Sequence, residues 1–278
     1  MTGLRRLRFG LATILGLARR GFFIPYRYAA ELPPAGKRPP YAALGALFGA
    51  HEAAFRRTIA GLEDYADALL ALDAPPPAPR WKQDWFPRLD AAIAYAFVRR
   101  FAPPRIVEVG SGHSTRFLAR AVADGGLATA ITAIDPAPRA ALSGLDIELL
   151  RLPLHRVGEA PFAALAPGDL LFVDSSHILM PGSDVDRLLN HILPTLASGV
   201  HIHFHDVFLP DDYPEAWDWR GYNEQLGLAA LLQGGGYDLR FASHYVTTRM
   251  AGALSGGVVA VLPLPDGARE SSLWIEKR

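Results

Sequence analysis

Residues 106–121 read IVEVGSGHSTRFLARA, and no other stretch limits the fold so narrowly. An apolar run of strand character, RIVEV (105–109), passes through Gly110-Ser111-Gly112 straight into a segment of helical character, Ser114–Ala123. Continuously apolar strands belong to parallel sheets covered on both faces, and strand followed closely by helix is the opening of a βαβ unit. In such sheets ligands collect beyond the carboxyl ends of the strands. Glycine there lets the backbone come close to a ligand, and the unpaired N–H groups of the following helix favour an anion or carboxylate.

The acidic partner of this turn is Asp135, twenty-three residues after Gly112, which closes a second run, TAITAI (129–134), in AIDP. A carboxylate at that place can accept both hydroxyls of a ribose. Two cofactor classes use the geometry. A nicotinamide turn carries a third glycine or an alanine where this chain has Thr115. S-adenosylmethionine enzymes carry an acidic residue two positions before the first glycine, where this chain has Glu108. The second class is favoured; a nicotinamide oxidoreductase on the same sheet is the alternative, and a non-catalytic S-adenosylmethionine-binding protein is a third reading.

Further strands are expected at IELL (147–150), DLLFV (169–173) and VHIHFH (200–205), with helices at Ala160–Leu165 and Ser183–Leu196 between them. After these come a helix over Tyr222–Leu232 and two more strands, YDLRFAS (237–243) and GVVAVLPL (257–264). The last two are joined by about a dozen residues, too few for a parallel crossover, so an antiparallel pair is expected. Upstream, apolar residues from Tyr41 to Asp73 recur at the spacing of one long amphipathic helix, which APPPAPR (74–80) stops. The division is therefore a helical N-terminal extension with a Pro-rich linker, 1–80, and an α/β main domain, 81–278.

Lys plus Arg and Asp plus Glu both number 28, which gives no whole-chain electrostatic case for nucleic acid. There is no cysteine, so disulfides, iron–sulfur clusters and thiolate zinc sites are excluded, and a cytoplasmic location fits. No run reaches the ~20 apolar residues of an integral membrane span. LRRLRFGLATILGLARRGFF (4–23) is read three ways: a cleaved signal, a membrane-surface helix, or, preferred, a helix docked on its own protein.

VEVGSGHST (107–115), AIDPAPR (133–139), DLLFVDSSHILMPGSDV (169–185) and HIHFHDVFLPDDYP (201–214) together resemble the class I S-adenosylmethionine-dependent methyltransferases. Within them they resemble the bacterial group called methyltransferase family 24. The likeness runs from Trp81 to the C-terminus. It implies a Rossmann-like, doubly wound sheet of seven strands in the order 3-2-1-4-5-7-6 with strand 7 antiparallel. It implies that Glu108, Gly110 and Gly112 hold the methionine portion of the cofactor and Asp135 the ribose. Ser114 or Thr115 would contact the carboxylate, and Ser111 and His113 complete the turn. The reaction implied is methylation of a small molecule, in the first place at oxygen.

In that strand order Asp174 and Asp206 close adjacent strands and face the cofactor's methyl group. His177 follows in DSSH, and His205 precedes Asp206 in HIHFHD. Two ionised carboxylates so close raise one another's pKa, and a divalent cation relieves the repulsion. Related O-methyltransferases hold magnesium at these strand ends; here His205 replaces an expected acid, so the metal set would be Asp174, His205 and Asp206, or Asp174 and Asp206 with His177 in place of or beside His205, better suited to zinc, iron or manganese. The competing reading is metal-free, with His177 or His205 as general base oriented by an aspartate. His201 and His203 are read as locally hydrogen-bonded. Trp217, Trp219, Tyr222 and Asn223 are candidates for the acceptor pocket, with Arg220 to orient it; Gln83 and Trp85 are candidates for the cofactor's other side. Residues 1–80 either pair subunits in a homo-oligomer or cover the main domain.

Overall fold

The computed structural model describes residues 3–278. The chain divides into two compact units, Met1–Arg38 and Pro39–Arg278. In the first, the basic segment forms a helix over Gly3–Ile14 that buries none of its residues.

The second unit is organised by a sheet of seven strands: β1 Arg105–Val109, β2 Ala130–Ile134, β3 Glu148–Leu150, β4 Leu170–Val173, β5 His201–Phe204, β6 Tyr237–Ala242 and β7 Leu273–Lys277. Their order is β3-β2-β1-β4-β5-β7-β6. β1 to β5 pair in parallel, and β7 runs antiparallel to both β5 and β6. Strand order reverses between β1 and β4, which opens a crevice beyond their carboxyl ends. β4 and β5 are buried along their whole length because helices cover both faces. The helix Arg88–Phe101 buries every residue from Leu89 to Val98, including one carboxylate, Asp90.

Two features differ from the sequence expectation. GVVAVLPL is not the antiparallel strand: Gly257–Val261 is a short helix entered through Gly257 at a φ of 69°, and the strand is Leu273–Lys277. Pro263 and Pro265 cannot donate to a ladder on both sides, whereas LWIEK buries Leu273, Trp274 and Ile275 between β5 and β6. The boundary between compact units also falls at 38/39 rather than 80/81. The expected long helix is broken into Ala42–Gly49, Glu52–Ala60, a 3-10 turn and Ala66–Leu70, with glycines at the first two ends. Its apolar stripe (Leu44, Phe48, Phe55, Ile59, Leu62, Leu69) is buried in the same core as the sheet. Phe55 packs edge-on against Phe241 of β6 and against Tyr245, and Glu63 accepts a hydrogen bond from the Val258 amide at 2.7 Å. An amphipathic helix needs a partner for its apolar face, and here that partner is the sheet's β6 side.

Candidate active site

The site begins where β1, β2 and β4 end level. The Gly110 amide donates to Ile134 and the Asp174 amide to Val109, both at 2.9 Å. Gly110 has a φ of +86°, and a Cβ there would meet the Asp174 carbonyl oxygen at 1.8 Å. The close approach of β4 therefore demands this glycine. Gly112 differs: nothing lies within 4 Å of where its Cβ would stand, so the turn leaves open space.

Two carboxylates and three hydroxyls surround that turn. Glu108 is fully buried; one of its oxygens accepts the Ser114 hydroxyl at 2.6 Å and the other has no partner. Burial pushes its pKa up to about 8, against the pull of the Ser114 hydrogen bond. Asp135 accepts the amide and hydroxyl of Ser111 at 2.9 and 3.0 Å and the Ala137 amide at 2.7 Å. A carboxylate has about four acceptor positions, so capacity remains. Thr115 turns inward and accepts the Gly112 amide at 2.9 Å, as an N3 residue reaching back to the cap. The hydroxyls of Ser114 and Thr115 are thus already engaged within the turn. His113 is half-buried, and burial, with Arg116 and Arg80 nearby, draws its pKa down to about 4.

Beyond β4 and β5 lies a second cluster. β4–β5 register pairs Val173 with Phe204, so the next step sets Asp174 level with His205, and Asp206 follows. His205 Nδ1 is 3.6 Å from a carboxylate oxygen of each aspartate. His177 Nε2 is 3.3 Å from Asp174 and 3.4 Å from Asp206. The far nitrogen of each ring is held by a buried acid: His177 Nδ1 by Glu224 at 2.9 Å, His205 Nε2 by Asp90 at 3.2 Å. Asp90 in turn accepts the amides of Ser271 and Ser272, which ties the cluster to the entry of β7. His177 and Asp206 sit at φ values of 61° and 55°, a backbone region that costs a non-glycine residue energy and concentrates at functional sites.

The electrostatics differ from a bare pair of acids. Burial would push the Asp174 carboxyl up, but His205 and His177 outweigh it and hold the pKa well below the usual range. Burial would likewise pull both histidines down; hydrogen bonds to the Asp174 and Glu224 carboxylates raise His177, and the charges of Asp174 and Asp206 raise His205. Asp174 and Asp206 thus each face two imidazole rings rather than one another alone. Burial raises Glu224, only partly offset by His177.

Ligating atoms of Asp174, His177 and Asp206 all lie within 4.8 Å of one another. Of the two imidazoles that the sequence offers beside these aspartates, His177 and His205, it is His177 that joins this group, because the turn after β4 carries its ring between the two carboxylates. Asp90 and Glu224 escaped the sequence reading. A lone acid inside LDAAIAYAFV was the available signal for Asp90; Glu224 looked like an ordinary first-turn acid of a surface helix.

The loop after β5 contributes an aromatic wall. The Arg220 guanidinium lies 3.8 Å from the Trp217 ring centre, donates to the Tyr222 hydroxyl, and stands 3.9 Å from Asp206. The Tyr222 ring lies 4.6 Å from that of His177, whereas Trp219 is 39% exposed. Asn223 is engaged elsewhere: it clamps the Leu179 amide and carbonyl at 2.6 and 3.2 Å. Gln83 staples its own loop through the Trp85 and Phe86 amides, and Trp85 is exposed beneath Arg139. His203 hydrogen-bonds Ser272 at 2.8 Å and stacks on Phe172, and His201 lies 3.1 Å from Glu276 at the far end of the strand.

Residues 107–207 match the family model described as "Methyltransferase domain". No curated protein matches in sequence. Among solved structures, the chain is similar to the Podospora anserina methyltransferase PaMTH1 bound to SAH, at 14% identity and a TM-score of 0.43, covering 93% of this chain and 99% of that one. It is similar to a Bacillus cereus O-methyltransferase in complex with SAH, at 13% identity and a TM-score of 0.43, covering 80% and 91%. It is also similar to the O-methyltransferase TomG of Streptomyces achromogenes in complex with SAM, at 21% identity and a TM-score of 0.36, covering 64% and 80%.

Proposed function

We propose that the protein transfers the methyl group of S-adenosylmethionine to a hydroxyl oxygen of a small molecule. One observation carries the reading: an unpaired, buried carboxylate oxygen on Glu108 and open space over Gly112 share a sheet edge with the paired acids and imidazoles of β4 and β5. An orphaned buried acceptor costs about 1–3 kcal/mol. A ligand ammonium, such as that of the methionine moiety, removes the cost, and Asp135 keeps acceptor capacity for a ribose.

Methyl transfer from a sulfonium is an in-line displacement, so the protein contributes chiefly by alignment. Asp174 belongs to both clusters and orients the acceptor against the donor. The acceptor proton passes to His177 Nε2 once that imidazole is neutral, and Glu224 holds the resulting imidazolium. Tyr222, Trp217 and Arg220 bound the acceptor side. A second reading rests on the clustering of Asp174, His177 and Asp206: these residues fit a divalent cation, since the far nitrogen of His177 is already held by a carboxylate as metal-binding histidines require. When bound, such an ion would acidify the acceptor hydroxyl.

Label transfer from methyl-tritiated S-adenosylmethionine to a panel of hydroxylated small molecules tests the proposal. Asp174→Asn is expected to stop turnover while S-adenosylhomocysteine still binds. Binding without any transfer across the panel, unchanged by that substitution, would leave a binding protein rather than an enzyme.

A further inference from the structure

We propose that residues 4–28 bind an anionic lipid surface, laying the chain's first helix in the plane of the membrane interface. Leu4, Leu7, Leu11 and Ile14 recur at intervals of three and four, which places them within an arc of about 80° on the helix Gly3–Ile14. All four are exposed, Leu4 at 79% and Ile14 at 61%. Arg5, Arg6 and Arg8 lie outside that arc. A helix of this kind is amphipathic, yet no residue of its apolar stripe is buried.

The stretch that follows continues the pattern. Phe22, Phe23, Ile24, Tyr26 and Tyr28 are exposed. Aromatic and long aliphatic side chains of this kind settle at the level of lipid headgroups. Guanidinium groups lie against several of the rings: Arg5 is 5.2 Å from the centre of Phe9, Arg19 5.4 Å from Phe22 and Arg27 5.5 Å from Tyr28. Cation and aromatic ring are therefore presented together.

Charge selects the occupant. Residues 1–30 contain six arginines (5, 6, 8, 19, 20 and 27) and no acidic residue, although the whole chain is neutral. A second copy of the segment would bring twelve positive charges together with nothing to neutralise them. An anionic bilayer supplies both the apolar layer and the counter-charge. Spanning is excluded by length: twelve helical residues extend about 18 Å, against about 30 Å of hydrocarbon. No helix among the described residues is long and apolar enough to cross a membrane.

Co-sedimentation of the full chain with vesicles tests the proposal. Vesicles of phosphatidylcholine with about one quarter phosphatidylglycerol are expected to capture the protein at low salt, and pure phosphatidylcholine to capture far less. Each arginine near the surface contributes about fivefold in partitioning, so R5Q/R6Q/R8Q should weaken capture about a hundredfold. Leu7→Glu with Leu11→Glu should abolish it. Both sets of substitutions lie outside the Pro39–Arg278 unit, so thermal melting is expected to stay unchanged and reports directly on folding. Equal capture by both vesicle types, or wild-type capture of the leucine variant, would overturn the proposal. So would absent capture together with a dimer by analytical ultracentrifugation that the leucine variant dissociates, since the stripe would then serve self-association.

Discussion

Replacing Glu108 by Gln puts a number on the donor crevice. The carboxyl is fully buried and its pKa rises from 4.5 to about 8, because burial disfavours its charged form. The folded state then holds a proton that the unfolded chain releases between those two values. Stability contributed by this group therefore falls as pH rises from about 4.5 to about 8. Fully developed, the penalty is on the order of 5 kcal/mol, at about 1.4 kcal/mol per pH unit. Between pH 5 and pH 8 it amounts to about 3.5 kcal/mol. The amide of Glu108→Gln cannot ionise and nearly preserves shape. Urea unfolding at pH 5 should find wild type and variant close in stability, and at pH 8 the variant more stable by about 3 kcal/mol. Donor binding should move the opposite way. If the donor ammonium requires the ionised carboxylate, wild-type affinity for S-adenosylhomocysteine rises about fiftyfold from pH 6 to pH 8, whereas the variant stays weak and flat. Parallel stability curves for the two proteins across this range would refute the reasoning.

Gly110→Ala should lower stability by about 3 kcal/mol, seen as a fall in Tm, because the new methyl group meets the Asp174 carbonyl at a strained φ. Gly112→Ala should leave the unfolding free energy within about 0.5 kcal/mol of wild type and weaken donor binding measured by calorimetry. Glu224→Gln should lower the pKa of His177, which that acid helps to raise; the rising limb of the pH–rate profile then moves to lower pH. Removal of divalent ions with EDTA should leave turnover unchanged if His177 serves as base. If Asp174, His177 and Asp206 hold a metal, turnover stops and added manganese or zinc restores it.

Much of this arrangement was legible in the chain because the βαβ opening is written locally. IVEVGSGHST and AIDP specify strand, turn, helix and second strand through continuous apolar burial and glycine placement. The place of Asp174, His205 and Asp206 at strand ends was legible for the same reason, since they directly follow or end apolar runs, with His177 three residues beyond Asp174. The last strand was not. GVVAV has the stronger β propensity, yet LWIEK occupies the sheet, and short apolar runs carry no period that separates helix from strand. The unit boundary was hidden too, since an amphipathic stripe announces that it needs a partner without naming it. Asp90 and Glu224 illustrate a further limit. Each reaches its histidine across long sequence separations, His205 and Asp90 being 115 residues apart, and only the folded topology brings such pairs together.

Calorimetric titration of the purified chain at pH 8 with S-adenosylhomocysteine tests the proposed hold of the β1 and β2 edge on S-adenosylmethionine. Saturable one-to-one binding that Glu108→Gln and Asp135→Ala each weaken is predicted. Absence of binding heat, or equal binding by wild type and both variants, would contradict it.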